Sequence, residues 1–98
     1  MPPKIYFNDQ DVRISYDVGF DRYWLEIQGR SLSFAGKGFD NFFGLEGADL
    51  RERLTAVHPE VDTILHVGDL ETIARGLKTV AKKEAKEQER FKKLMTGR

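Results

Sequence analysis

Six cations at helical spacing form the strongest chemical pattern in the chain. Arg75, Lys78, Lys82, Lys86, Arg90 and Lys93, stepped at about 100° per residue, fall within a stripe about 120° wide. Leu70, Ile73, Leu77, Val80, Phe91 and Met95 fall opposite. The plain reading is an amphipathic helix with a solvated basic face, and Glu71 with Arg75 and Glu89 with Lys93 support it as i,i+4 pairs in the favourable order. Yet Lys78 with Lys82, Lys82 with Lys86 and Lys86 with Arg90 set like charges one turn apart, each disfavouring the helix by a few tenths of a kcal/mol. The helix dipole accounts for Arg90, Lys92 and Lys93 near the C-terminal end, but not for Lys78 or Lys82. Such a stripe suits nucleic acid, an acidic protein surface, or the acidic body of a second copy. Glu84 interrupts the apolar face, which sets Phe91, Leu94 and Met95 apart as a second apolar patch able to anchor a partner.

Elsewhere the chemistry is sparse. The chain contains no GxxxxGK[ST], GxSxG, HExxH or EF-hand pattern. Gly36-Lys37-Gly38 could form a small backbone nest for an anion, but Asn41 stands where a dinucleotide fingerprint has its third glycine. His58 and His66 are the only imidazoles. On a helix starting at Pro59, Asp62 and His66 would lie one turn apart, as two metal ligands could, but two ligands are not a site. The expected roles are structural, with His58 at a helix end and His66 half-buried. Asp17, Asp21 and Glu26 sit on or between adjacent strands, where carboxylates could converge for acid-base work. The solvent face of any antiparallel meander carries such residues, so neither catalysis nor a metal or cofactor is expected. Trp24 points away from Tyr23, Leu25 and Ile27, beside Glu26, and a large ring on an open sheet face marks a contact surface unless the Phe39, Phe42 and Phe43 loop folds over it. Bases could also stack on such a surface. Asp9, Asp11, Asp17, Asp21 and Asp40 crowd the same half and would repel their phosphates.

The elements that must position these residues follow from periodicity. Val12, Ile14, Tyr16 and Val18 alternate with Arg13, Ser15 and Asp17, the pattern of a half-buried strand. The same period returns in Tyr23, Leu25 and Ile27, and again in Leu32 and Phe34, while Lys4 to Phe7 supplies a further edge strand. Asp49 is placed to cap a helix carrying Leu50, Leu54 and Val57, with Glu52 at the capping-box position and Pro59 beyond its end. Residues 60–67 suit either a strand or a helix, and Val61, Ile64 and Leu65 on one face favour helix. Gly68 stops that segment and Asp69 caps the next, which runs from Leu70 to about Met95, some 26 residues or roughly 40 Å. Gly76 is its weak position, at about 1 kcal/mol relative to Ala. The expected architecture is a single α+β domain over 1–98. Residues 1–47 form an aromatic-rich antiparallel meander of three or four strands with a loop, 48–68 a short helical segment, and 69–96 a long basic helix.

Composition bounds the function. Ninety-eight residues allow one modest core rather than a deep enclosed site. The absence of cysteine removes disulfides, thiolate nucleophiles and Cys-ligated metals. The zero net charge divides into −5 over residues 1–76 (8 Lys+Arg, 13 Asp+Glu) and +5 over 77–98 (8 against 3). No apolar run is long enough to span a bilayer and Met-Pro-Pro-Lys has no secretory h-region, so no membrane partner and a cytoplasmic location are expected. The expectation is therefore a non-enzymatic intracellular binding module with a protein partner, such as a small inhibitor or regulatory adaptor; phages and mobile elements encode many of this size. The alternatives are a nucleic-acid-binding protein using the basic stripe, and a small hydrolase or ligand-binding domain built on Asp17, Asp21, Glu26 or the Gly36 loop. A homodimer through Phe91, Leu94 and Met95 is also open. A coiled coil is disfavoured because Glu84 and Glu87 occupy the seam positions that follow Leu70, Ile73, Leu77 and Val80.

Overall fold

Four strands, β1 (Lys4–Asp9), β2 (Val12–Asp17), β3 (Arg22–Ile27) and β4 (Arg30–Ala35), pair in chain order as an antiparallel meander. In the computed structural model residues 3–95 are described, the side chains of Phe91, Lys93, Leu94 and Met95 excepted. The register places Ile14, Leu25 and Leu32 in one inward row and Tyr16, Tyr23 and Phe34 in the next. Ser15, Trp24 and Ser33 line up on the other face. The β3–β4 turn, Gln28-Gly29, has φ of 51° and 80°, the double positive φ that lets a two-residue turn match the twist of its strands. A bulge between Ile5 and Phe7 breaks the alternation in β1, so Tyr6 is buried and its neighbour Phe7 also packs on the core.

The rest of the chain covers the inward face. A 3-10 turn at Phe39–Phe42 leads into α1 (Gly47–Val57), a second 3-10 turn (Pro59–Thr63) follows, and α2 spans Val67–Met95. The fold is thus α+β, with a four-stranded antiparallel sheet, a short helix and a long C-terminal one. Leu50 and Leu54 of α1, Val61 of the 3-10 turn, and Ile73 and Val80 of α2 are almost wholly enclosed with Ile14 and Ile27 of the sheet. The phenylalanine loop belongs to the same core. Phe39 stacks on Tyr23 with ring centroids 4.0 Å apart, and Phe42 meets Phe34 edge-on at 5.2 Å. It therefore leaves Trp24 uncovered.

Local details depart from the sequence reading where tertiary partners intervene. Helix α1 begins at Gly47 with Glu46 at its N-cap, so Asp49 lies inside the first turn, where it meets the helix dipole instead of capping. Of residues 60–67, expected to be helical, 60–63 belong to the 3-10 helix that starts at Pro59 and Val67 opens α2, while 64–66 are irregular. No α-helix or strand forms between Pro59 and His66. Arg51 reaches across from α1 and donates to the carbonyls of Asp62 (3.2 Å) and Leu65 (2.8 Å), satisfying acceptors that a regular element would have used internally. Gly68 lies within the first turn of α2 rather than before it. Asp69 does cap that end, but from the third helical position: its Oδ2 accepts the His66 backbone N–H at 3.1 Å and Gln28 Nε2–H at 2.7 Å.

Gly76 is where α2 crosses the sheet. A Cβ there would lie 2.7 Å from Phe7 Cδ2 and 2.8 Å from Ile14 Cδ1, so its missing side chain sets the helix–sheet distance. Beyond Glu84 the helix leaves the body, and every side chain from Ala85 to Arg90 is exposed. Twenty-nine residues at about 1.5 Å each give a rod of roughly 43 Å, which accounts for a molecule 50 Å long and only 27 by 24 Å across. No described helix is long and apolar enough to cross a membrane.

Candidate functional site

Helix α2 carries two chemically different faces, and the first is the basic stripe. Lys78, Lys82, Lys86 and Arg90 are exposed, and none of them makes an ion pair among the described residues. Arg75, at the N-terminal end of the stripe, is already engaged, with Nη1 2.9 Å from Asp9 Oδ2. Lys93, Phe91, Leu94 and Met95 lie outside the described side chains, so the C-terminal end of the stripe and the expected apolar anchor have no described geometry. Leu70, Ile73, Leu77 and Val80 are spent on this chain's own core, so these four are not available as a seam for a coiled-coil partner.

The second face looks inward and was not singled out from the sequence. After Val80 the sheet-facing positions of α2 become Glu84, Glu87 and Gln88. They confront a row of three tyrosines, Tyr6, Tyr16 and Tyr23, across a cleft of about 410 Å³ with Lys92 at its rim. The rings form a continuous aromatic floor, with centroids 4.6 Å apart for Tyr16 and Tyr23 and 6.4 Å for Tyr6 and Tyr16. Tyr16 OH donates to Asp21 Oδ1 at 2.6 Å, and Tyr6 OH reaches Glu87 Oε2 at a long 3.4 Å. Lys83 donates to the Tyr6 carbonyl at 2.9 Å and sits 5.9 Å from the Tyr6 ring centroid, while Lys4 approaches Glu87 at 3.6 Å. Glu84 is half-buried and makes neither a hydrogen bond nor an ion pair among the described residues.

The electrostatics of the cleft follow from that crowding. Burial, with the Glu87 carboxylate next, pushes the Tyr6 hydroxyl up to about 12. The hydrogen bond to Asp21, with burial next, does the same for Tyr16. Neither phenol is therefore a phenolate near neutrality, and both serve as hydrogen-bond donors. Burial first, then the charges of Glu87 and Asp21, raise the Glu84 carboxyl above its ordinary range.

Asp21 is held in place by Gly36. Asp21 has φ 51° and its carbonyl accepts the Gly36 N–H at 2.7 Å, and a Cβ on Gly36 would meet the Asp21 carboxylate. The Gly36 N–H is thus used within the fold and is not free to join an anion nest with Lys37 and Gly38.

The remaining sequence candidates are dispersed. Trp24 is half-buried on the outer sheet face, in a shallow groove of about 360 Å³ with Ile5, Arg13 and Glu26. Asp17, Asp21 and Glu26 do not converge. Asp17 accepts the turn N–H groups of Gly19 and Phe20, Asp21 faces Tyr16, and Glu26 pairs with Arg13 at 3.3 Å on the outer face. His66 is exposed rather than half-buried, and Asp62 is taken by Arg51 at 3.2 Å. His58 closes the outer edge of β4, its Nε2 2.7 Å from the Ser33 carbonyl oxygen. No group of three or more metal-ligating side chains occurs among the described residues.

The signal for the tyrosine cleft was present in the sequence as the interruption of the α2 apolar face at Glu84. What the sequence alone lacks is the opposite wall, since Tyr6 and Glu87 lie 81 residues apart. Neither a protein-family model, nor a curated protein, nor a solved structure matches the chain.

Proposed function

We propose that this protein is a non-enzymatic binding module that docks on an acidic protein surface through the basic stripe of α2. The observation that supports this is the run of Lys78, Lys82, Lys86 and Arg90, exposed and without carboxylate partners among the described residues, on a helix that projects from the body. Repeated like charges one turn apart weaken a helix by a few tenths of a kcal/mol each, a cost that a complementary surface offsets. The acidic body argues for a protein over nucleic acid. Residues 1–76 carry −5 and Asp9 already neutralises Arg75, so attraction is confined to the projecting part of the stripe. That suits a localised acidic patch on a protein better than a long polyanion that would also run along the acidic body.

The test is co-purification with the tagged chain from its own cell, at two salt concentrations, with and without nuclease, beside the Lys82→Glu, Lys86→Glu double variant. Both positions are exposed, so the variant should keep wild-type stability to within about 0.5 kcal/mol. A protein that survives nuclease, weakens with salt and is absent from the double variant supports the reading. Capture that disappears with nuclease replaces it with nucleic-acid binding, whose salt slope falls by about 1 for each phosphate-binding cation removed. Capture indifferent to both substitutions overturns it.

A further inference from the structure

The tyrosine cleft has no part in the basic-stripe reading, and its chemistry points to a ligand of the opposite sign. We propose that the cleft between the Tyr6, Tyr16 and Tyr23 floor and the Glu84 face of α2 binds an organic cation, specifically the guanidinium of an arginine side chain.

The volume fits one such group. A cleft of about 410 Å³ lies at the lower end of the range for small-ligand sites and is too small for a folded element. The floor suits a cation, because the faces of tyrosine rings carry negative potential and attract cations within about 6 Å of the centroid. The chain shows this mode in its own Lys83, 5.9 Å from the Tyr6 centroid. A planar guanidinium matches the floor better than an ammonium does, since it stacks on a ring while its fork of N–H groups is presented edge-on to a carboxylate.

The wall supplies that carboxylate. Asp21 is occupied by Tyr16 and Glu87 by Lys4 and Tyr6, whereas Glu84 has no partner among the described residues. Its desolvation makes the arriving cation more valuable, because the ion pair forms over an apolar floor rather than in open water. An arginine stacked on the half-buried Tyr16 with its guanidinium on Glu84 would satisfy that carboxylate without displacing an existing bond. The charged or titratable groups around Glu84 are Tyr6, Tyr16 and Tyr23 from the sheet, Asp21 from the β2–β3 turn, and Lys83, Glu87 and Lys92 from α2. Of these, Lys83 beside Tyr6 and Lys92 at the rim oppose an entering cation.

The experiment is calorimetric or NMR titration of the full chain with three probes: a short peptide carrying one arginine, the same peptide with citrulline, and agmatine as a free guanidinium. The arginine peptide should bind at least tenfold more tightly than the citrulline peptide. Glu84→Gln should weaken it about tenfold, and Lys92→Ala should strengthen it. The Lys82→Glu, Lys86→Glu variant keeps the cleft intact, so binding it retains separates this proposal from the basic-stripe reading. Agmatine binding as tight as the peptide identifies a free cation as the source, and tighter peptide binding identifies a protein side chain. Equal binding of arginine and citrulline, wild-type binding by folded Glu84→Gln, or no saturation at millimolar peptide overturns the proposal.

Discussion

Replacing Gly76 with alanine sets helix propensity directly against packing. In an exposed helix the change would gain about 1 kcal/mol, since glycine is the poorest helix former after proline. Here a Cβ would lie 2.7 and 3.0 Å from the Phe7 ring and 2.8 Å from Ile14 Cδ1, closer than carbon atoms pack. Ile14 is 0% exposed with little room to move, and Phe7, on the bulged β1, packs against the same core. Overpacking of this kind costs about 1–3 kcal/mol, so packing wins and the net effect is a loss of about 1 kcal/mol. For a chain of this length that lowers Tm by about 4–8 °C. In urea the midpoint should fall by roughly 0.3–1 M with an unchanged slope. Phe7→Ala removes two of the three close approaches and opens space into which Ile14 Cδ1 can shift, so Gly76→Ala should cost less in that background. A double-mutant cycle would read this as a coupling of about 0.5 kcal/mol or more. A wild-type background in which Gly76→Ala raises Tm, or a cost unchanged by Phe7→Ala, would refute the reasoning.

Two further predictions concern the tyrosine cleft. The folded state raises the Glu84 carboxyl above its ordinary 4.5, so ionising it costs folding free energy that appears as pH rises through that value. Glu84→Gln should therefore raise Tm at neutral pH, and thermal melts should show the gain vanishing below pH about 4.5. The hydroxyls of Tyr6 and Tyr16 are raised from 10.0 to about 12, so the folded state holds protons that the unfolded chain gives up first. Stability should fall as pH rises from about 10 to about 12, and the Tyr6→Phe, Tyr16→Phe double variant should show a shallower alkaline loss in urea melts at fixed pH.

The strands were legible because an antiparallel sheet covered on one face keeps a strict period of two, as Val12, Ile14 and Tyr16 do. The long helix was legible because Leu70, Ile73, Leu77 and Val80 repeat at helical spacing and all four are buried. What failed was set by partners distant in sequence. The helical periodicity of residues 60–67 is realised only as the short 3-10 helix Pro59–Thr63, and Arg51 claims the Asp62 and Leu65 carbonyls where an α-helix would have continued. Gly76 reads as a defect in the helix until Phe7 and Ile14 are seen pressed against it. The bulge in β1 turns Tyr6 and Phe7 to one side, which no alternation rule anticipates. The basic stripe needed no partner to be seen, since a pattern on one helix face requires only the period of that helix.

Glu84 and Glu87 read along the chain as the place where a hydrophobic seam gives out. Across the sheet they read as a match: α2 is aliphatic opposite Ile14, and becomes acidic opposite the tyrosines. Part of that match is structural, because the hydroxyl of a buried tyrosine needs an acceptor. Asp21 supplies it for Tyr16 at 2.6 Å, and Glu87 does so weakly for Tyr6 at 3.4 Å. Glu84 supplies it for neither. A side chain chosen only to close the core at this position would be aliphatic, and one chosen only for solubility would not be half-buried among rings. A carboxylate that raises the cost of folding and has no partner among the described residues is consistent with selection for an interaction outside the chain. That makes Glu84 the residue at which stability and binding should move in opposite directions, and Glu84→Gln the substitution whose two readouts must disagree.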